Sequence, residues 1–148
     1  MFFDGFGPPE ADRVEVLRDE HVVVARRGDF PGPAVDLAQL HGRPMVALPA
    51  ICDQRRVEGA FAEAGVTPRI VFRTADNQGV AATVRAGLGC AVMPLLAVTA
   101  HRADPALSLL PIEPGLPPRI VYALTEGTSS PITRRFVELA VKIGAGLS

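Results

Sequence analysis

Residues 74–94 read TADNQGVAATVRAGLGCAVMP, and this stretch decides the fold. Asp76 or Asn77 can cap a helix, because a short side-chain oxygen accepts from N–H groups that the first helical turn leaves unpaired. Val80, Val84 and Leu88 recur every fourth residue and give that helix one apolar face. Gly87 and Gly89 end it and let the chain turn sharply. Cys90 to Met93 is then apolar throughout, as expected of a strand covered on both faces.

The same alternation extends outward. Val14–Leu17 and His21–Arg26 read as short strands. GDFPGP, residues 28–33, is a turn-rich break. Val35–Leu40 reads as one or two helical turns with Asp36 near the start, and Met45–Pro49 as a buried strand. Gln54–Ala64 is a helix with Val57, Ala60, Phe61 and Ala64 on one face, closed by Gly65. Arg69–Thr74 is a strand, Pro94–Thr99 a short helix, and Leu107–Ile112 and Arg119–Thr125 two strands split by EPGLPP. Ile132–Ile143 is a final amphipathic helix. Strands alternate with helices from residue 35 to 99, which predicts an α/β fold: a mainly parallel sheet with flanking helices.

The chain has 148 residues, 48% hydrophobic and 21% charged, which suits one folded domain with a real core. Fifteen basic residues face 16 acidic ones. That balance argues against a nucleic-acid surface, which needs a net basic face. No apolar run approaches the ~20 residues of a membrane helix, and no signal peptide is visible, so a cytoplasmic protein without a membrane partner is expected.

Enzyme chemistry finds no support. The serines lack a nucleophile-elbow context, Gly87-x-Gly89 lacks a third glycine and follows a helix, and His21, His41 and His101 show no metal-ligand spacing. No cofactor or metal is expected. His41 reads as a solvated turn residue and His21 as one buried by packing. Cys90 reads as a small core residue. Cys52 lies in a loop and far in sequence from Cys90, so a redox pair is not expected.

In an open α/β sheet, ligands bind at the carboxyl ends of strands, where helices begin. Two such ends follow the strands at Met45 and Arg69: Pro49 to Gln54, and Ala75 to Gln78. Met93 and Pro94 close a third strand at the same edge. Asp53 and Asp76 read first as plain helix caps.

The helix with RAGLGCAVMP and the following LLAV resembles the effector-binding domain of LysR-type transcriptional regulators. VDLAQLHGRPMVALPA (35–50) is similar to the short helix, polar turn and strand that open that family's second effector lobe. FAEAGVTPRIVFRTADN (61–77) is similar to its helix end, Gly-x-x-Pro turn and next strand. PPRIVYALTEGTSSPITRRFVELA (117–140) is similar to its return strand and C-terminal helix.

This resemblance implies a periplasmic-binding-protein-like (type 2) sensor with a small-molecule cleft between two lobes. Residues 1–20 would end the first lobe, 21–125 would form the second lobe with the two crossing strands, and 126–148 would return as a C-terminal helix. Asp4 would lie at the cleft floor. Ala50, Ile51, Cys52, Asp53, Asn77, Gln78, Met93 and Pro94 would line the second-lobe wall, with Asn77 and Gln78 placed to bond a carboxylate or hydroxyl of the effector. DNA would be reached only through an N-terminal winged helix-turn-helix that this chain does not carry. The apolar face of the last helix would drive homo-oligomer formation. The alternative is a solute-binding module of the periplasmic-binding-protein type.

Overall fold

A computed structural model of the protein describes residues 2–3, 12–125, 127 and 129–147. The proposed role of Asp4 falls outside these residues. The chain divides into two compact units, Glu20–Pro117 and Met1–Asp19 with Pro118–Ser148.

The Glu20–Pro117 unit holds β3 (His21–Arg26), β4 (Val35–Asp36), β5 (Pro44–Ala47), α1 (Cys52–Glu63), β6 (Arg69–Arg73), α2 (Asn77–Arg85), β7 (Ala91–Pro94), α3 (Leu95–Val98) and β8 (Leu107–Glu113). One sheet has the order β4-β8-β3-β7, and β5 pairs with β6 beside it. Two backbone bonds join the sheets: Val46 N–H to the Cys90 carbonyl at 2.8 Å, and Cys90 N–H to the Pro44 carbonyl at 3.0 Å. Gly89 permits this approach, because a Cβ there would collide with the Pro44 carbonyl.

Alternation within β3 shows how the core is layered. Val23 and Ala25 face a cluster containing Leu40, Met45, Val57, Phe61 and Val92. Val22 and Val24 face another, containing Val46, Val80, Val84, Ala91 and Met93. Side chains alternate across a strand, so α1 covers one face of the sheet and α2 the other. Each fully buried Val, Leu or Phe is worth ~1.5–3 kcal/mol, so both faces of β3 contribute to the core.

The α/β expectation agrees with this architecture, with a limit on the parallel pairing. β5 and β6 are parallel, β4 and β8 are parallel, and a parallel bridge joins Met45 to Cys90. β3, however, is antiparallel to both β7 and β8. Helical crossovers impose parallel pairing only on the strands they connect, and β3 precedes the first of them.

Three local expectations change. Leu88 lies beyond α2 and is exposed, because Gly87 at φ +88° has already turned the chain. Val35–Leu40 opens as strand β4, and Asp36 then caps a single 3-10 turn, Leu37–Leu40, through its bond from Ala38 N–H. Asp53 does not cap α1; Ile51 is the N-cap residue.

The other unit holds β1 (Phe2–Phe3), β2 (Asp12–Asp19), β9 (Arg119–Thr125) and α4 (Pro131–Ala145). Its antiparallel sheet has the order β1-β9-β2. β9, grouped from sequence with residues 21–125, therefore pairs outside that segment. Arg119 bonds the buried carboxylate of Asp19 at 2.7 Å where β2 and β9 meet. α4 lies on β2 through Gly144, where a Cβ would strike the Val16 carbonyl. Much of its apolar face is open: Ile132 is 83% and Phe136 55% exposed.

Candidate functional site

Parallel pairing brings the carboxyl ends of β5 and β6 out side by side, with Ala47 opposite Arg73. The Met45–Cys90 bridge gives β7 the same direction. β3 runs the other way, so its first residue, His21, pairs with Pro94 at the end of β7. One edge of the sheet thus collects the loops before α1 and α2, the end of β7 and the start of β3.

The two helices begin differently. At α2, Asp76 is the N-cap and accepts from Gln78 N–H at 3.0 Å and Gly79 N–H at 3.1 Å. That end is closed by its own side chain. At α1 the N-cap is Ile51, which supplies no side-chain acceptor and is 59% exposed. Cys52 follows with φ +45°, a left-handed conformation that costs a non-glycine residue energy. The partial positive charge of a helix start lies at α1 beside an exposed, mostly apolar loop, Ala50 to Cys52, with the Asp53 carboxylate in the same first turn.

Asp53, in the first turn of α1, reaches inward. Its Oδ2 lies 2.9 Å from His21 Nε2, with 2% of the His21 side chain and 16% of the Asp53 side chain exposed. A carboxylate oxygen only accepts, so Nε2 carries the hydrogen. His21 Nδ1 is buried with no hydrogen-bond partner among the described residues. Arg56, one turn on, stands 3.8 Å from the other Asp53 oxygen.

Behind the loop, Arg73 donates to the Leu48 carbonyl and to Glu58 of α1, both at 2.7 Å. Burial raises the Glu58 carboxyl, but hydrogen bonds from Arg73 and Gln54 outweigh it and hold Glu58 below its usual value. The end of β6, the end of β5 and the body of α1 are tied at this point.

Of the sequence-selected residues, Ala50, Ile51 and Cys52 are exposed on the loop, and Asn77 and Gln78 are exposed on the first turn of α2. Met93 and Pro94 are buried: Met93 pairs with Val22 and packs into the α2 side of the core. His21 is the residue that sequence reasoning did not connect to this edge. Its partner is 32 positions away, and no spacing rule links the two. Cys90 is buried, and burial pushes its thiol up to about 11, so it stays protonated at neutral pH. His41 is exposed and accepts from Thr67 N–H at 3.1 Å. Among the described residues no group of three His, Cys, Asp or Glu side chains could hold a metal, and no helix is long and apolar enough to cross a membrane.

A two-faced α/β unit with exposed loops gathered at the carboxyl ends of its strands is the architecture of a ligand-binding lobe. The chain belongs to the LysR substrate binding domain family, whose sequence profile it matches over residues 3–143. The fold is similar to the CcmR regulatory domain of Synechocystis PCC6803 in complex with 2-PG, with a TM-score of 0.78 and 20% identity over 97% of this chain and 72% of that one. It is similar to HinK, a LysR family transcriptional regulator from Pseudomonas aeruginosa, with a TM-score of 0.80 and 15% identity over 99% of this chain and 53% of HinK. The effector binding domain of QuiR in complex with shikimate gives a TM-score of 0.71 and 20% identity over 95% of this chain and 68% of that domain. No curated protein sequence matches. The family match favours a regulator's sensor domain over a solute-binding module.

Proposed function

We propose that this chain is the small-molecule sensing part of a cytoplasmic LysR-type regulator, and that its effector carries a carboxylate. Ala50, Ile51, Cys52 and Asp53, with Asn77 and Gln78, form the effector-facing wall of residues 21–125. The observation that carries this reading is the start of α1, a helix end without a side-chain cap beside an exposed apolar loop. Helix N-termini favour anions through their N–H groups and partial positive charge. The apolar loop suits a ring or carbon skeleton, and the Asn77 and Gln78 amides suit its hydroxyls. Shikimate and 2-PG, found in complex with two proteins of similar fold, give a starting panel.

In the whole regulator, DNA contact belongs to a winged helix-turn-helix outside this chain. An effector that binds one arrangement of the sensor better than another shifts the population toward it. Catalysis has no place in this scheme.

A thermal-shift screen of small carboxylates against the matched neutral amides tests the reading. A ligand present at 100 times its Kd stabilises by ~2.7 kcal/mol, so a carboxylate should raise the melting temperature while its amide does not. A panel in which no carboxylate up to millimolar concentration stabilises the chain would sink the proposal.

Self-association goes with it. A groove of about 470 Å³ lies between α4 and the sheet beneath, lined by Val16, Leu17, Val121, Phe136, Leu139 and Ile143, among others. Covering such side chains is favourable by ~1.5–3 kcal/mol each. Light scattering at micromolar concentration should show a dimer or larger, and Phe136→Ser should return it to monomer. A monodisperse monomer of the unaltered chain would contradict this part.

A further inference from the structure

The start of α1 poses a physical problem. Its N-cap residue contributes no side-chain bond. The next residue, Cys52, is held at φ +45°. The first backbone bond of the helix, Arg55 N–H to the Ile51 carbonyl, is long at 3.4 Å. Strained backbone of this kind persists only where its surroundings over-determine it. The turn is nevertheless reached from the sheet by one buried side chain: His21, on the first residue of β3, bonds Asp53 at 2.9 Å with 2% of its side chain exposed.

We infer that His21 is a positioning residue of the effector wall: through Asp53 it fixes the first turn of α1, including the left-handed Cys52 that opens it. His21 is itself fixed. Its backbone pairs with Pro94, and Val22 to Ala25 behind it are buried in both cores. The anchor is therefore rigid, and the loop it holds is the exposed Ala50–Cys52 segment. A hydrogen bond to a charged partner is among the stronger ones, and losing it leaves the partly buried Asp53 carboxylate one donor short. His21 itself touches no ligand. It sets the shape and direction of the N–H groups that do.

The inference rests on the wall proposed above, but its test needs no ligand, so a failed carboxylate screen and a failed positioning role are separate results. Amide exchange is measured by NMR on the whole 148-residue chain and on His21→Leu, His21→Gln and Asp53→Ala. In His21→Leu, exchange at Arg55 to Val57 should rise by about tenfold or more, and the Cys52 backbone shifts should leave the left-handed range. His21→Gln carries an amide nitrogen near the position of Nε2 and should recover most of the protection. Asp53→Ala breaks the same bond from the more exposed side, and covers the case in which His21→Leu does not fold. Unchanged exchange in both bond-breaking variants would overturn the inference. So would a rise spread evenly over Glu20–Pro117, or one that His21→Gln does not reverse.

Discussion

α1 and α2 leave the same edge of the same unit, yet they are started by different means. α2 is closed from within, by the side chain of the residue just before it. α1 begins at an isoleucine, and its first turn is gripped by a histidine on another strand. A helix end that satisfies itself has fewer free N–H groups to offer a ligand. One held from behind can keep its outer surface free for one. On the proposed reading, the difference separates a helix start that serves the fold from one left open to an effector.

The largest effect tests whether the two helices share a common base. Phe61 is buried on the α1 face among Leu40, Val57 and Val92. Phe61→Ala should cost ~3–5 kcal/mol, and denaturant unfolding should show both helices lost in one transition. If α2 survived while α1 melted, the comparison of ends would have to be made between independent parts.

The next effect concerns the closed end. Asp76→Ala removes two accepted hydrogen bonds and should cost ~1 kcal/mol in chemical denaturation. The open end should respond in the opposite sense. Ile51→Ser supplies the missing acceptor and should stabilise the chain by ~0.5–1 kcal/mol, while weakening any carboxylate that relies on α1. Stabilisation without loss of binding would place the ligand elsewhere.

The smallest effect is a pH dependence behind the loop. Glu58 titrates below its ordinary 4.5 because bonds from Arg73 and Gln54 outweigh the burial that raises it. Its contribution is then present above about pH 4.5 and lost as pH falls through the lowered folded value. Melting temperature followed from pH 6 to pH 3 should fall less steeply in Arg73→Met. Equal slopes would show that this tie adds nothing to the hold on α1.

What could be read from the sequence follows the same division. Asp76 as a cap was legible because the cap, the turn and the apolar repeat are neighbours in the chain. The layered α/β core was legible too, since buried strands such as Val22–Ala25 and Ala91–Met93 announce themselves as unbroken apolar runs. The antiparallel placement of β3 was not, because nothing local says which neighbours a strand will choose. Leu88 fitted the helical repeat by spacing, but the Gly87 stop read from the same stretch already ends the helix before it. Met93 and Pro94 end β7 at this edge, and both are buried there because the sheet is covered on both faces. His21–Asp53 was invisible for the plainest reason: 32 residues separate the partners, and only the sheet brings them together.

The most direct measurement is a residue-resolved titration of the chain by amide NMR with whichever carboxylate most raises the melting temperature. The largest shifts should fall on Ile51 to Gln54, with smaller ones at Asn77 and Gln78, and Ile51→Ser should suppress them. Shifts centred on Gln78 and Gly79, or confined to residues away from this edge, would contradict it.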